Sequence, residues 1–279
     1  MNASTAYTPK QALALDTPEG YDKSGGAITA EYAKHCISRC LPFGADSIIL
    51  DNACGTGAIT DAIIASEPPS SIQLNLADKS PAYTAFCQAK YANIQLSIGT
   101  YTMPSEALRI AYGSLTHSFN NFGIFMTTNS GRDGASEIYR TLEPGGIAVT
   151  TCWESLTWLG PAKAVHERTR PGAPWPNPVV SWSDGNHLVG ILKEAGFSNV
   201  ELRTEEVWAK TRDLRSWAEQ SWAILGGPPT GGWKEGDEEK WDEAVDIFVE
   251  ELRKADGFKE MDDGEIRMRC SAHIVTAVR

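Results

Sequence analysis

The 279 residues carry a formal net charge of −11, with 42% hydrophobic and 22% charged positions, the composition of an ordered globular chain long enough for one elaborated domain or two small ones. That acidic balance argues against a phosphate backbone as the main partner, because nucleic-acid binding needs a basic face, and a small molecule is the better expectation. The opening residues lack a basic leader with an apolar core, no later run reaches the length of a membrane helix, and the six cysteines include no CxxC pair, so the reading is a soluble, cytoplasmic protein with reduced thiols and no metal.

After a polar N-terminus, Ala27 to Cys40 reads as a helix opening behind Gly25-Gly26, with Ile28, Tyr32, Cys36 and Ile37 on one side. Ile48 to Leu50 is a short aliphatic run suited to a buried parallel strand, and Ala58 to Ser66 a helix stopped by Pro68-Pro69. The alternation repeats, with strands at Ile72 to Ala77, Ile94 to Ile98 and within Leu115 to Phe125, and a helix at Pro81 to Ala89. Gly134 to Leu142 reads as a helix, Glu143-Pro144-Gly145-Gly146 as its stop and Ile147 to Cys152 as a fifth strand. Strands alternating with helices predict an α/β fold with a mostly parallel, doubly wound sheet and right-handed crossovers.

Beyond Trp153 the pattern loosens into a Pro- and Trp-rich stretch. A helix at Asp184 to Ala195, a strand at Val200 to Ala209, an amphipathic helix in Asp237 to Asp256 and a last strand at Arg267 to Val278 follow. With no repeat and no flexible linker, residues 1–279 read as a single domain with a core of about 20–153; insertions at about 154–183 and 212–262 would form a helical cap.

The stretch IILDNACGTGAIT, residues 48–60, holds a strand, a glycine turn and a helix start. Such a turn brings backbone close to a ligand, and the helix behind it offers free N–H groups. A phosphate loop needs GK[ST] after the second glycine, and Ala58-Ile59-Thr60 stands there; the dinucleotide pattern wants a third glycine at Thr60 and has no role for Asp51. An ordinary tight turn without ligand stays open at this point.

The aliphatic strand, Asp51, the small Ala53, Gly55 and Gly57 resemble the first motif of class I S-adenosylmethionine-dependent methyltransferases. LNLADKSP then puts Asp78 where that family ends its second strand in an acid that holds the ribose hydroxyls, with Lys79 beside it; a helix cap before Pro81 is the plainer role for Asp78. THSFNNFGIF resembles the family's fourth-strand region, and EIYRTLEPGGIAVTTCW the helix, turn and fifth strand after it. The resemblance covers roughly residues 20 to 155 and implies a seven-stranded Rossmann-like sheet with S-adenosyl-L-methionine as cofactor. Its cofactor-side set is Tyr21, Asp51, Ala53, Cys54, Gly55, Gly57, Asp78, Lys79, Thr100, Tyr101, Asn121 and Phe122.

Two departures bear on that set. Ala53 replaces the usual first glycine, which implies a negative φ there. Thr100-Tyr101 stands where many relatives place an acid that reaches the adenine, leaving Tyr101 stacking, Thr100 hydrogen bonding or plain packing as readings.

Methyl transfer is an in-line displacement in which the protein aligns donor and acceptor and excludes water. No NPPY-like signature marks a nucleobase acceptor, and His117, His166, His187 and His273 stand in no diagnostic motif, so no catalytic base is assigned. Of the nine tryptophans, most of which read as packing, Trp153 and Trp222 are the two expected to face an acceptor. The ensemble is similar to fungal small-molecule methyltransferases of the gliotoxin bis-thiomethyltransferase type. That implies S-methylation of the thiols of a reduced epidithiodiketopiperazine in secondary metabolism by a monomer or weak dimer; O- or N-methylation of another metabolite and a non-enzymatic regulator are the alternatives.

Overall fold

The computed structural model describes residues 7–176 and 181–279; residues 1–6 of the polar N-terminus and 177–180 of the first insertion lie outside the described residues. Two compact units divide the chain. A sheet unit comprises 29–154, 181–205 and 271–279, and a helical unit comprises the described residues of 1–28, 155–180 and 206–270. Most residues of both expected insertions, and the N-terminal segment with Tyr21, belong to the helical unit.

In chain order, α1 (Lys10–Leu15) and α2 (Pro18–Tyr21) precede α3 (Ala27–Ile37), β1 (Ile48–Asn52), α4 (Ala58–Ala65), β2 (Gln73–Asp78) and α5 (Pro81–Lys90). β3 (Ser97–Thr102), β4 (Leu115–Asn120), α6 (Arg132–Thr141) and β5 (Leu142–Leu156) follow. The remainder is α7 (Leu159–Thr169), α8 (Asn186–Ala195), β6 (Asn199–Thr211), α9 (Leu214–Leu225), α10 (Trp241–Leu252), β7 (Phe258–Glu260) and β8 (Ile266–Val278).

The strands lie in the order β3-β2-β1-β4-β5-β8-β6, seven on one path, with the short β7 paired antiparallel to β8 as an eighth. β1 runs parallel to β2 and β4, β2 to β3, and β4 to β5, so the fold is the expected α/β class with a mostly parallel sheet. Ile49 and Leu50 of β1 are fully buried, which is why this strand reads as a continuous aliphatic run rather than an alternating one. On one face, Leu50 and Ala148 join Ile124, Ala135 and Ile138 of the segment around α6, and Leu188, Ile191 and Leu192 of α8, in a single apolar core. The chain winds outward from β1 to β3 and then returns to β4 on the other side of β1. The carboxyl ends of β1 and β4 therefore flank the switch point, where open α/β sheets receive their ligands.

Several boundaries differ from the sequence expectation by a few residues, and two of the differences have a tertiary cause. β3 is Ser97–Thr102 where Ile94 to Ile98 is expected, because Ser97–Thr102 pair residue by residue with Gln73–Asp78. β5 begins at Leu142 and runs through Glu143-Pro144-Gly145-Gly146, expected to be only a helix stop. There Gly145 donates its N–H to the Arg279 carbonyl at 2.9 Å, and Arg279 returns a bond to Gly146 at 3.0 Å. Pairing with a residue more than 130 positions away leaves no local signature.

In the helical unit, α10 turns Trp241, Ala244, Val245, Phe248 and Leu252 inward, as their spacing predicts; Val249, expected on the same face, is only half-buried and Ile247 is buried instead. Beside it, the buried Arg170 binds both carboxylate oxygens of Asp237 at 3.0 and 2.8 Å, the Gly226 carbonyl at 2.7 Å and the Thr230 hydroxyl at 3.2 Å. The rings of Trp222 and Trp233 flank its guanidinium, with centroids 5.1 and 5.3 Å from Cζ.

Candidate active site

The turn after β1 is built around two acids. Asp51, 3% exposed, accepts from the Thr60 backbone N–H at 3.1 Å and the Thr60 hydroxyl at 2.7 Å, both on Oδ2. Burial pushes its carboxyl up to about 7 against the opposing effect of those two bonds. Asp51 thus ties β1 to the first turn of α4 and does not itself face outward. Asp78, half-buried at the end of β2, accepts from the Gly55 N–H at 3.0 Å through Oδ2 and from the Ser80 N–H at 2.9 Å through Oδ1. A carboxylate offers about four acceptor sites, so each oxygen keeps capacity for a further donor. The cap reading is corrected: Ser80 is the cap residue of α5 and no side chain caps that helix, so Asp78 only bonds the N–H of the residue that opens it.

Ala53 corrects the expectation of a negative φ: it sits at φ +59, in the left-handed region that ordinarily favours glycine. The chain must step from β1 toward β2 here, and Cys54 donates its N–H to the Ala77 carbonyl at 2.9 Å. The alanine methyl fits because residue 123 is glycine; a Cβ on Gly123 would lie 2.5 Å from that of Ala53. Gly55 has φ +52 and a Cβ there would meet nothing within 4 Å, whereas at Gly57, φ +89, it would come within 2.1 Å of the Tyr91 hydroxyl. Open space thus lies beside Gly55.

Helix α5 and the residue after it grip the same turn, a role sequence reasoning missed. Cys87 Sγ lies 3.2 Å from the Gly55 carbonyl oxygen, Lys90 Nζ 2.9 Å from that of Thr56, and the Tyr91 hydroxyl 2.9 Å from that of Gly57. Positions i, i+3 and i+4 share one helix face, and that spacing was the available signal.

The length of β3 places Thr100 and Tyr101. Both lie within the strand, Thr100 level with Leu76 and Tyr101 with Ala77, and it is Thr102 that stands level with Asp78. Tyr101 is exposed and its ring leans back over Gly99, where no side chain obstructs it. Past β3, the Ser105 hydroxyl donates to Asn52 Oδ1 at 2.7 Å. Lys79 is exposed. Asn52 and Asn120, the last residues of β1 and β4, are fully buried, and the Nδ2 of each has no hydrogen-bond partner among the described residues.

Beyond β4, Phe122 is a second non-glycine residue in the left-handed region, at φ +61. Its N–H donates to the Thr151 hydroxyl at 2.8 Å, which in turn donates to Asn121 Oδ1 at 3.1 Å, while Asn121 Nδ2 donates to the Thr29 carbonyl at 3.0 Å. The strained conformation stacks the Phe122 ring on Trp153, with centroids 3.7 Å apart and planes 16° apart. Tyr32 packs edge-on against both, at 5.3 and 5.7 Å, with its hydroxyl 3.2 Å from the Glu205 carbonyl.

The structure thus brings Ala53, Cys54, Gly55, Gly57, Asp78 and the Asn121–Phe122–Trp153 group to the carboxyl ends of β1, β2, β4 and β5. Trp222 is corrected: it is 1% exposed and packs on Arg170, Trp233 and Phe248 as a core residue of the helical unit. Tyr21 closes α2 in that unit with its ring over Gly25. The histidines weighed as bases are held elsewhere. His117 packs on Phe43 and Phe119, burial lowering its pKa; His187 and His273 bond to the carbonyls of Ser130 and Ser183, and His166 lies near that of Ala173.

No family model matches the chain. Over 214 residues it is 22% identical to the methyltransferase ktnA of Aspergillus niger, covering 64% of this chain and 69% of that one. Over 117 residues it is 32% identical to the methyltransferase afvD of Aspergillus flavus, covering 38% and 44%. Among solved structures, the cyclase SpnF superposes with a TM-score of 0.51 at 18% identity, over 90% of this chain and 80% of that one. The phosphoethanolamine N-methyltransferase 2 of Haemonchus contortus, solved with S-adenosylhomocysteine, does so with 0.52 at 15% identity, over 89% and 52%. At these identities the structural likeness is one of fold.

Proposed function

We propose that this chain, an S-adenosylmethionine-dependent methyltransferase of class I fold, transfers a methyl group to a small-molecule acceptor of the kind made in fungal secondary metabolism. The observation that carries the cofactor side is the Asp78 carboxylate, pinned by the Gly55 and Ser80 N–H groups beside the open face of Gly55. Its remaining acceptor sites suit vicinal hydroxyls, and the orphaned Nδ2 groups of Asn52 and Asn120 suit a polar group or water at the switch point. When bound, S-adenosylmethionine supplies an electrophilic methyl on its sulfonium. Gly55 leaves room for it, Asp78 holds the ribose, and Asp51 keeps the turn in shape through Thr60.

On the acceptor side, the Phe122–Trp153 stack is a flat apolar wall. The polar groups bonded around it are the Asn121 amide and the Thr151 hydroxyl, which orient but do not take up a proton. An acceptor that is already partly ionised, with a pKa near about 8.5, asks least of such groups; the reading is therefore a thiol, as in a reduced epidithiodiketopiperazine. All six cysteines are free, which fits a reducing, cytosolic setting.

Mass spectrometry of products from labelled S-adenosylmethionine and a panel of dithiols, phenols and amines tests the acceptor. Label on thiols is expected; label confined to phenols or amines defeats the thiol reading. Calorimetry with S-adenosylhomocysteine beside NADH tests the cofactor. Asp78→Ala is expected to weaken binding more than tenfold, about 1.4 kcal/mol, and no heat from wild type with S-adenosylhomocysteine sinks the cofactor assignment.

A further inference from the structure

We infer that the face of α5 formed by Cys87 and Lys90, with Tyr91 following, is a strap that sets the shape of the glycine turn and thereby its affinity for the cofactor. The inference rests on the cofactor reading above and assigns positioning roles to three residues whose contacts in the turn are with its backbone carbonyls. Three successive carbonyls are engaged from one side: Gly55 by the Cys87 thiol at 3.2 Å, Thr56 by the Lys90 ammonium at 2.9 Å, and Gly57 by the Tyr91 hydroxyl at 2.9 Å. Each peptide unit is planar and trans, so a carbonyl locked toward α5 turns the next residue's N–H the opposite way. Gly57 obeys this, donating its N–H back to the Cys54 carbonyl at 2.8 Å.

The strap is anchored at its far end. Asp61 of α4 accepts from Lys90 at 2.6 Å and lies 2.9 Å from the Tyr91 hydroxyl, which therefore has two acceptors for one proton. The buried hydroxyl also crowds position 57, where only a residue without Cβ fits. Without these contacts Gly55 and Gly57, both at positive φ, would regain the conformational freedom that glycine has and the bound form must lose.

The test uses full-length protein and the variants Tyr91→Phe, Lys90→Met, Cys87→Val and Cys87→Ser, with two readouts. Hydrogen exchange in ligand-free protein follows the amides of residues 54–58, and calorimetry measures the Kd for S-adenosylhomocysteine. Tyr91→Phe, Lys90→Met and Cys87→Val are expected to speed exchange in that segment and raise Kd by about fivefold or more, with unchanged exchange in distant strands. Cys87→Ser, which keeps a donor, is expected to stay close to wild type. Faster exchange with Kd unchanged, or a Cys87→Ser variant as weak as Cys87→Val, overturns the positioning role. Unchanged exchange in every variant overturns the strap itself, whatever the binding. A wild type that binds no S-adenosylhomocysteine overturns the cofactor reading and the affinity claim together, while exchange still decides whether the strap exists.

Discussion

Thr60 holds Asp51 twice, through its backbone N–H at 3.1 Å and its hydroxyl at 2.7 Å, and both bonds fall on one carboxylate oxygen in the interior of the sheet unit. The residue that argues against a dinucleotide fingerprint by not being glycine is the residue that fastens β1 to α4. Burial still outweighs those bonds, and the Asp51 carboxyl is pushed up to about 7.

That shift sets a pH dependence. A carboxyl that binds its proton more tightly when folded contributes stability fully below its unfolded pKa, near about 4, and loses it as the pH rises through about 7, each unit being worth about 1.4 kcal/mol. Asp51→Asn keeps an acceptor for Thr60 and cannot ionise. Between about pH 5 and about pH 8 the unfolding free energy of the variant is therefore expected to gain on wild type by a few kcal/mol at most. Denaturant titrations at both pH values check this; a constant difference shows that Asp51 does not titrate in the window.

The two glycines of the turn are expected to respond differently to alanine. At Gly57 the Cβ would meet the Tyr91 hydroxyl at 2.1 Å as well as a positive φ, so Gly57→Ala should cost about 2–4 kcal/mol of stability. At Gly55 the Cβ would enter open space, and Gly55→Ala should cost about 1–2 kcal/mol. It should nonetheless lose S-adenosylhomocysteine affinity, because that space is where the cofactor is proposed to lie. Thermal unfolding beside calorimetry separates the two effects.

Ala53 at φ +59 holds its conformation against a cost of roughly 1–2 kcal/mol for a residue with a Cβ. Ala53→Gly should leave stability within about 1 kcal/mol of wild type, because strain relief offsets the added freedom of the unfolded chain. Ala53→Val, β-branched and pressed against Gly123, should be strongly destabilised. Equal melting temperatures for the two variants would refute the strained assignment.

In the helical unit, Arg170→Met leaves Asp237 buried without its bidentate partner and should cost about 3–5 kcal/mol. Replacing both residues by apolar ones of similar volume should recover much of that loss. A double variant as unstable as the single one would show that the tryptophans stacked on Arg170 depend on its charge.

The α/β class, the mostly parallel sheet and the glycine turn were determined by the sequence alone, because strand and helix periodicity, Asp51 at a strand end and small residues at 53, 55 and 57 are written into adjacent positions. What only the tertiary structure decided depends on residues far apart in the chain. The extension of β3 to Thr102 needs β2, the conformation of Ala53 needs Gly123, and the placement of Trp222 in a core needs Arg170 and Phe248. The grip of Cys87, Lys90 and Tyr91 on the glycine turn is of the same kind. A helix face is legible from spacing, but which backbone it touches is fixed only when the sheet brings α5 and the turn together.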